Sequence, residues 1–215
     1  MILLRDGPVG VETLLVKRSS RSSFAPDALV FPGGRVDDAD WDGVAPGDEL
    51  AAARRAGARE THEEAGLVVA PDALVPHSHW QPPPTAPRRF LTWFFVASAP
   101  DAVVAVDGAE IVDHVWITPA AAIAAHARAE VDVLAPTWVT LRSLEAHATV
   151  AEALAAAGRR EPPQYMSTIV PVEGGVVFLY AGDAALEAEP PDLDRPGPRR
   201  RLFTVGREWR LEESP

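Results

Sequence analysis

Three glutamates, Glu60, Glu63 and Glu64, fall in the stretch RETHEEAGL at residues 59–67. On a helix they occupy positions i, i+3 and i+4, so three carboxylates project from one face. Like charges at that spacing repel, and each raises its neighbours' pKa unless a cation intervenes. Hard divalent ions such as Mg²⁺ take oxygen clusters of this kind and complete their coordination with water and phosphate oxygens. A solvated acidic helix face is the plain alternative, and the flanking segments decide against it. Leu29, Val30 and Phe31 read as a short apolar strand running into Pro32-Gly33-Gly34, a turn whose glycines permit close approach of backbone to a ligand. Gly66 stands where a helix C′ cap belongs, and Leu67, Val68 and Val69 begin another apolar run. The expected order is strand, glycine turn, acidic helix, strand.

These residues resemble the Nudix hydrolase signature: a Gly, five residues, a Glu, seven residues, then R-E-U-x-E-E-x-G-U with U aliphatic. Arg59, Glu60, Glu63, Glu64, Gly66 and Leu67 match its second half, and Thr61 replaces the aliphatic residue. Gly34 lies 26 residues before Glu60, where the signature spacing is 15, so the chain carries about 11 extra residues there. Counted back from Arg59, the isolated Glu of the signature falls on Ala51, and Glu49 is the nearest carboxylate. The resemblance implies an α/β fold, a Nudix-type α/β/α sandwich with a mixed sheet and an added helical C-terminal segment. It implies Mg²⁺ or Mn²⁺ held by Glu60, Glu63, Glu64 and the Gly34 carbonyl, and catalysis by Glu64 and Glu63. Arg59, Gly33 and Gly66 take structural roles.

Composition sets the surroundings. With 215 residues and 47% hydrophobic content, the chain can bury a sizeable core, and one domain over 1–215 is expected. Its core would cover about 1–130, with a helical and hairpin extension over about 131–215. A net charge of −11 argues against coating of nucleic acid and fits a protein that grips a polyphosphate locally. Cysteine is absent, which excludes disulfides, thiolate nucleophiles and Cys-type metal sites. No apolar run approaches a membrane span and the first residues do not read as a signal peptide, so a cytoplasmic site is expected.

Along the chain, residues 11–17 and 110–117 read as strands. The stretch RSSRSS from Arg18 is either an anion-binding loop, through Arg18 and Arg21, or an ordinary hairpin loop. Trp41, in the polar insertion, either stacks on a base or pins the loop. His77, His79 and Trp80 precede a proline-stiffened excursion and a return strand. Within it Arg89 can clamp two phosphate oxygens at once. Thr118-Pro119 starts a helix; residues 136–147 and 149–157 are helical; 159–175 is a proline-rich connection; 176–180 is a strand; a terminal hairpin turns around Gly206. The arginine triplet 199–201 either meets substrate or forms a solvated face.

Several of these segments also resemble the coenzyme A diphosphatase branch of the same family: LLVKR, then VFPGGRVD; HW, prolines, then RRF; and PT-x-x-TL-x-x-L with a late Gly182-Asp183. That likeness implies coenzyme A or acyl-coenzyme A as substrate, with ADP-ribose or a dinucleotide as alternatives, and Arg18, Arg21, Arg35, Arg89 and Trp80 on the substrate side. Glu110, just ahead of a strand ending in Trp116 and Thr118-Pro119, resembles the acid that helps activate water opposite the box. A solvent-facing strand-end Glu is the alternative. A non-catalytic nucleotide-binding module on the same scaffold also stands, motivated by the displaced Glu and by the insertion of about 11 residues. Family members often pair, so both a homodimer through the helical tail and a tail folded on its own chain remain open.

Overall fold

Leu3, Leu14, Val16 and Phe95 alternate along their strands with Ile2, Leu4, Leu15 and Val96, and the two sets belong to different buried clusters. This period of two makes a sheet with an apolar layer on each face. A computed structural model describes residues 1–22, 25–82 and 91–214. It contains ten strands: β1 (Ile2–Gly7), β2 (Gly10–Arg18), β3 (Leu29–Val30), β4 (Val75–Gln81), β5 (Thr92–Ser98), β6 (Ile111–Ile117), β7 (Gln164–Val172), β8 (Gly175–Tyr180), β9 (Arg199–Val205) and β10 (Arg210–Ser214). Four α-helices accompany them, α1 (Glu49–Ala65), α2 (Pro119–Ala127), α3 (Ala135–Leu144) and α4 (Val150–Gly158).

The strands run β10-β9-β8-β7-β4-β5-β1-β2, with β3 and β6 both paired to β2. β1 pairs with β5, and β4 with β7, in parallel; the other pairings are antiparallel. β2 is long enough to serve three partners. β1 takes its first residues and β3 its last along one edge, while β6 runs from Thr13 to Arg18 along the other. Helix α1 covers one face, packing Ala53 and Ala65 with Leu3, Leu14 and Phe95. Helices α2, α3 and α4 cover the other, where Trp138, Leu141 and Ala153 meet Ile2, Leu15 and Val96. The architecture is therefore an α/β/α sandwich on a mixed sheet. A one-residue slip of β2 would exchange Leu14 for Leu15 between the layers, and each fully buried leucine is worth roughly 1.5–3 kcal/mol, so the register is fixed.

Three segments differ from the sequence reading. Residues 67–69 form no strand: Leu67 is buried under α1, and the chain passes through a 3-10 turn, Pro71–Ala73, before β4 begins. Residues 159–175 hold β7, which aligns in parallel beside β4 and lets β8, β9 and β10 extend the sheet. Pro171 pairs with Val176 near the end of β7, a position where the missing N–H is tolerated. The opening residues, for which the sequence says only that they do not read as a signal peptide, form β1, whose Ile2, Leu3 and Leu4 are fully buried. Among the described residues no helix is long and apolar enough to cross a membrane.

Candidate active site

Helix α1 starts on the Asp48 side chain, which accepts from the Ala51 N–H at 3.0 Å, and ends on Gly66 at φ 68°. A residue with a Cβ would be strained in that left-handed cap, and the Gly66 N–H satisfies the His62 carbonyl. Thr61, where the signature has an aliphatic residue, is fully buried and donates its hydroxyl to the Gly57 carbonyl at 2.7 Å. The polar departure is thus satisfied within the helix. Gly57 leaves room for the Met1 side chain; a Cβ there would stand 2.8 Å from Met1 Sδ.

The glycine turn closes on the acidic face. Glu64 is 5% exposed, and its carboxylate accepts the Gly33 N–H at 2.8 Å. Glu60 leans on Gly34 so closely that a Cβ on Gly34 would lie 2.3 Å from the carboxylate carbon. A Cβ at position 34 would push the Glu60 carboxylate away from the turn. Burial pushes Glu64 up to about 7, against the stabilising Gly33 N–H and with Glu60 and Glu110 adding to the rise. Burial also raises Glu60; Arg59 opposes the shift, while Glu63 and Asp37 reinforce it. Glu63 is largely exposed.

Arg59 sits in the middle of these acids. Its guanidinium contacts Asp40 at 2.9 Å, Glu60 at 2.8 Å and Glu63 at 3.0 Å, with Asp37 at 3.6 Å. It also donates to the Arg35 carbonyl at 2.8 Å. Asp40 is buried in a 3-10 turn, Asp38–Trp41, and accepts the Asp37 N–H at 2.9 Å. Burial works against its charge, but the Arg59 hydrogen bonds prevail and hold Asp40 below the usual carboxylate range. Asp40 is the sixth residue after Gly34, where counting forward through the signature puts the isolated Glu. The extra residues therefore follow this acid instead of preceding it, and neither Ala51 nor Glu49 stands in its place. Forward counting, with Asp admitted for Glu, is the signal that finds it.

The remaining expected residues divide. Arg18 and Glu110 come together, Arg18 Nη2 donating to Glu110 Oε1 at 2.6 Å across the β2–β6 pair. Glu110 also acts electrostatically on Glu64, so it belongs to the same acidic neighbourhood. Arg21 is exposed on the turn after β2, its N–H donating to Ser19 Oγ at 3.3 Å. Arg35 is exposed beside the glycine turn and its carbonyl anchors Arg59. Trp80 is corrected by the structure. Its indole is stacked on Tyr165 at 4.2 Å and buried with α3 and α4, on the face opposite α1, because Trp80 pairs with Thr92 in the register of Phe94 and Val96. It is not on the acidic side of the sheet. His79 takes that side instead, stacked on Trp93 at 4.2 Å and bonded to Gln164 at 2.7 Å. Arg89 lies outside the described residues.

The family model described as NUDIX domain matches residues 1–138. The chain belongs to the NUDIX domain family. Among solved structures, a NUDIX hydrolase from Alicyclobacillus acidocaldarius is similar with a TM-score of 0.64 at 23% identity, covering 72% of this chain and 92% of that one. A C. elegans Ap4A hydrolase binary complex gives a TM-score of 0.43 at 26% identity, covering 67% of this chain and 92% of the other. The NUDIX domain of Shewanella oneidensis NrtR complexed with ADP ribose gives 0.49 at 15% identity, covering 67% and 82%. No curated protein matches the chain. Nudix enzymes are diphosphate hydrolases that generally use divalent ions, and this chain is a Nudix hydrolase on that basis.

The residues present fit such an ion. Among the described residues no three acidic or imidazole side chains already converge as a metal cage, yet the donor set is right. Glu60, Glu63 and Glu64 are hard oxygen donors on one helix face, and burial raises the pKa of Glu60 and Glu64, a cost that a bound cation would offset. Within contact distance one arginine is shared among four acids, with Arg55 acting on Asp40 and the Met1 amino group on Glu64 from farther away.

Proposed function

We propose that this Nudix hydrolase cleaves the diphosphate linkage of a nucleoside diphosphate derivative, coenzyme A or an acyl-coenzyme A foremost, with Mg²⁺ or Mn²⁺. The observation that carries the reading is the excess of carboxylates around Arg59, with Glu64 buried against the Gly33-Gly34 turn. Glu60, Glu63 and Glu64, with the Gly34 carbonyl, would hold the ion. What Mg²⁺ or Mn²⁺ supplies is neutralisation of diphosphate oxygens and a lowered pKa for the attacking water.

The chain's own residues do the rest. Glu64, buried against the Gly33-Gly34 turn, is the first candidate for the base that takes the proton of the attacking water. Glu110 is the second base, and its pairing with Arg18 lets an incoming phosphate exchange one anion for another at that guanidinium. Arg59 keeps the helix and the glycine turn in register through Asp40 and the Arg35 carbonyl, independently of the oxygens of Glu60 and Glu63.

Coenzyme A is favoured by the sequence likenesses upstream and downstream of the acidic helix; ADP-ribose and dinucleotides are the alternatives. The displaced acid that motivated a non-catalytic module has a counterpart in Asp40, which supports turnover. A Mg²⁺ and Mn²⁺ hydrolysis screen over coenzyme A, acetyl-coenzyme A, ADP-ribose, NADH and dinucleoside polyphosphates tests all of these. Release of 3′,5′-ADP with a phosphopantetheine is expected. Turnover of another panel member alone would move the assignment to it, and nucleotide binding without any release would leave the module.

A further inference from the structure

On the face of the sheet away from α1, a cavity of about 140 Å³ lies between α3 and the C-terminal strands. Its walls carry Arg160, Arg200, His77, Thr140 and Ser143, and Glu213 is the carboxylate that lines it. Arg200 lies over the Tyr165 ring at 4.6 Å, which fixes its direction, and its Nε is 3.9 Å from Glu213. One further donor, Nη1, goes to the Ala181 carbonyl at 3.2 Å. Arg160 makes no ion pair among the described residues; its charge is felt by His77 and by Tyr165. His77 is 6% exposed and bonded to Ser143 Oγ at 3.2 Å. Behind this wall the Tyr180 hydroxyl is buried with no hydrogen-bond partner among the described residues. An open cleft of about 320 Å³, lined by Arg199 and Ser214, shares Arg200 and Glu213 with the cavity.

A chain with a net charge of −11 thus gathers two guanidinium groups, an imidazole and the hydroxyl-bearing Ser78, Thr140, Ser143 and Tyr165 around one small space, with a single lining carboxylate. Guanidinium groups bind phosphate oxygens through charge-assisted hydrogen bonds, and Arg160, with the Arg200 donors left over from Ala181 and Glu213, can meet a tetrahedral oxyanion at more than one oxygen. We infer that this cavity is a binding site for the phosphoryl group of a small phosphate, either the free ion or a phosphate monoester, separate from the acidic helix. The sheet lies between the two, so a ligand here touches none of Glu60, Glu63 or Glu64. Occupancy would tie α3 to the strands that follow it.

The test is calorimetric titration of inorganic phosphate and of glycerol 3-phosphate into the full chain stripped of metal with EDTA, with acetate as the planar control. Saturable binding of at least one phosphate is expected, about tenfold weaker in Arg160→Ala, an exposed position whose loss leaves the fold in place. Glu213→Gln should tighten it, since the competing carboxylate is gone, and Glu63→Gln should leave it unchanged. The phosphate that binds identifies the source. Absence of saturable binding overturns the inference, as do affinities unmoved by both Arg160→Ala and Glu213→Gln, a loss confined to Glu63→Gln, or acetate binding as tightly as phosphate.

Discussion

Two arginine–carboxylate clusters in this molecule have opposite designs. At Arg201 the account closes: the guanidinium meets Asp183 alone, at 2.7 Å through Nε, and the pair is 2% and 0% exposed. The remaining Arg201 donor goes to the Leu193 carbonyl, and Asp183 also accepts the N–H groups of Ala185 and Arg200. Burial opposes the Asp183 charge, but these partners hold its pKa below the ordinary range. At Arg59 one cation faces four acids, and burial leaves Glu64 near neutrality. A balanced buried pair fixes structure, whereas an unbalanced one at the surface keeps demand for a cation, and that demand is what catalysis uses.

The largest effect expected from breaking this contrast is on turnover. Glu64→Gln keeps an acceptor for the Gly33 N–H but removes the base and a carboxylate, so kcat should fall about 10²–10⁴-fold with the melting temperature unchanged or raised. Steady-state kinetics beside thermal unfolding checks it; turnover near that of the wild type would remove Glu64 from the chemistry.

At the closed pair the same kind of change should act on stability. Arg201→Met strands a buried aspartate and should cost about 3–5 kcal/mol in urea unfolding, while turnover per folded molecule is kept. Adding Asp183→Leu should recover only part of it, because the orphaned charge goes but the Ala185 and Arg200 N–H groups lose their acceptor. A loss of turnover without a loss of stability would invert the roles assigned to the two clusters.

His77 offers a third case, a buried imidazole whose hydrogen-bond partner is the neutral Ser143 hydroxyl. Burial, with Arg160 and His147 adding to it, lowers its pKa from 6.5 to about 4. Below about 6.5 the unfolded chain binds a proton that the folded one refuses, so stability is full above that pH and declines as pH falls toward 4, by up to about 3 kcal/mol. His77→Gln should flatten that slope in urea midpoints taken from pH 7 to pH 4.5; an unaltered slope would place the proton uptake elsewhere.

What the sequence makes legible follows from how local each cause is. The acidic helix is readable because its cap, periodicity and charges lie within α1, and Thr118 and Thr149 announce α2 and α4 through their own caps. β7 is not readable, since Pro163 and Pro171 suggest a connection and its place is set by pairing with β4, far away in sequence. Trp80 and Arg201 mislead for the same reason. Which face of a strand an indole occupies depends on the irregular register between Pro76 and Ser78, and whether an arginine is solvated depends on an aspartate in another element.

Asp40 gives the smallest effect and the sharpest discrimination. If it braces Arg59, Asp40→Ala should cost about 1–3 kcal/mol, the loss of charge-assisted hydrogen bonds at a buried carboxylate. The freed guanidinium would fall back on Glu60 and Glu63, the contacts it already makes at 2.8 and 3.0 Å. A cation would then compete harder for those oxygens, so half-maximal activity should require more Mg²⁺. Asp40→Glu, which restores the acid of the family signature, should return both quantities toward the wild type. Stability lost with no change in the Mg²⁺ requirement would confine Asp40 to holding the turn, and the balance of charge at Arg59 would then rest on Glu60 and Glu63 alone.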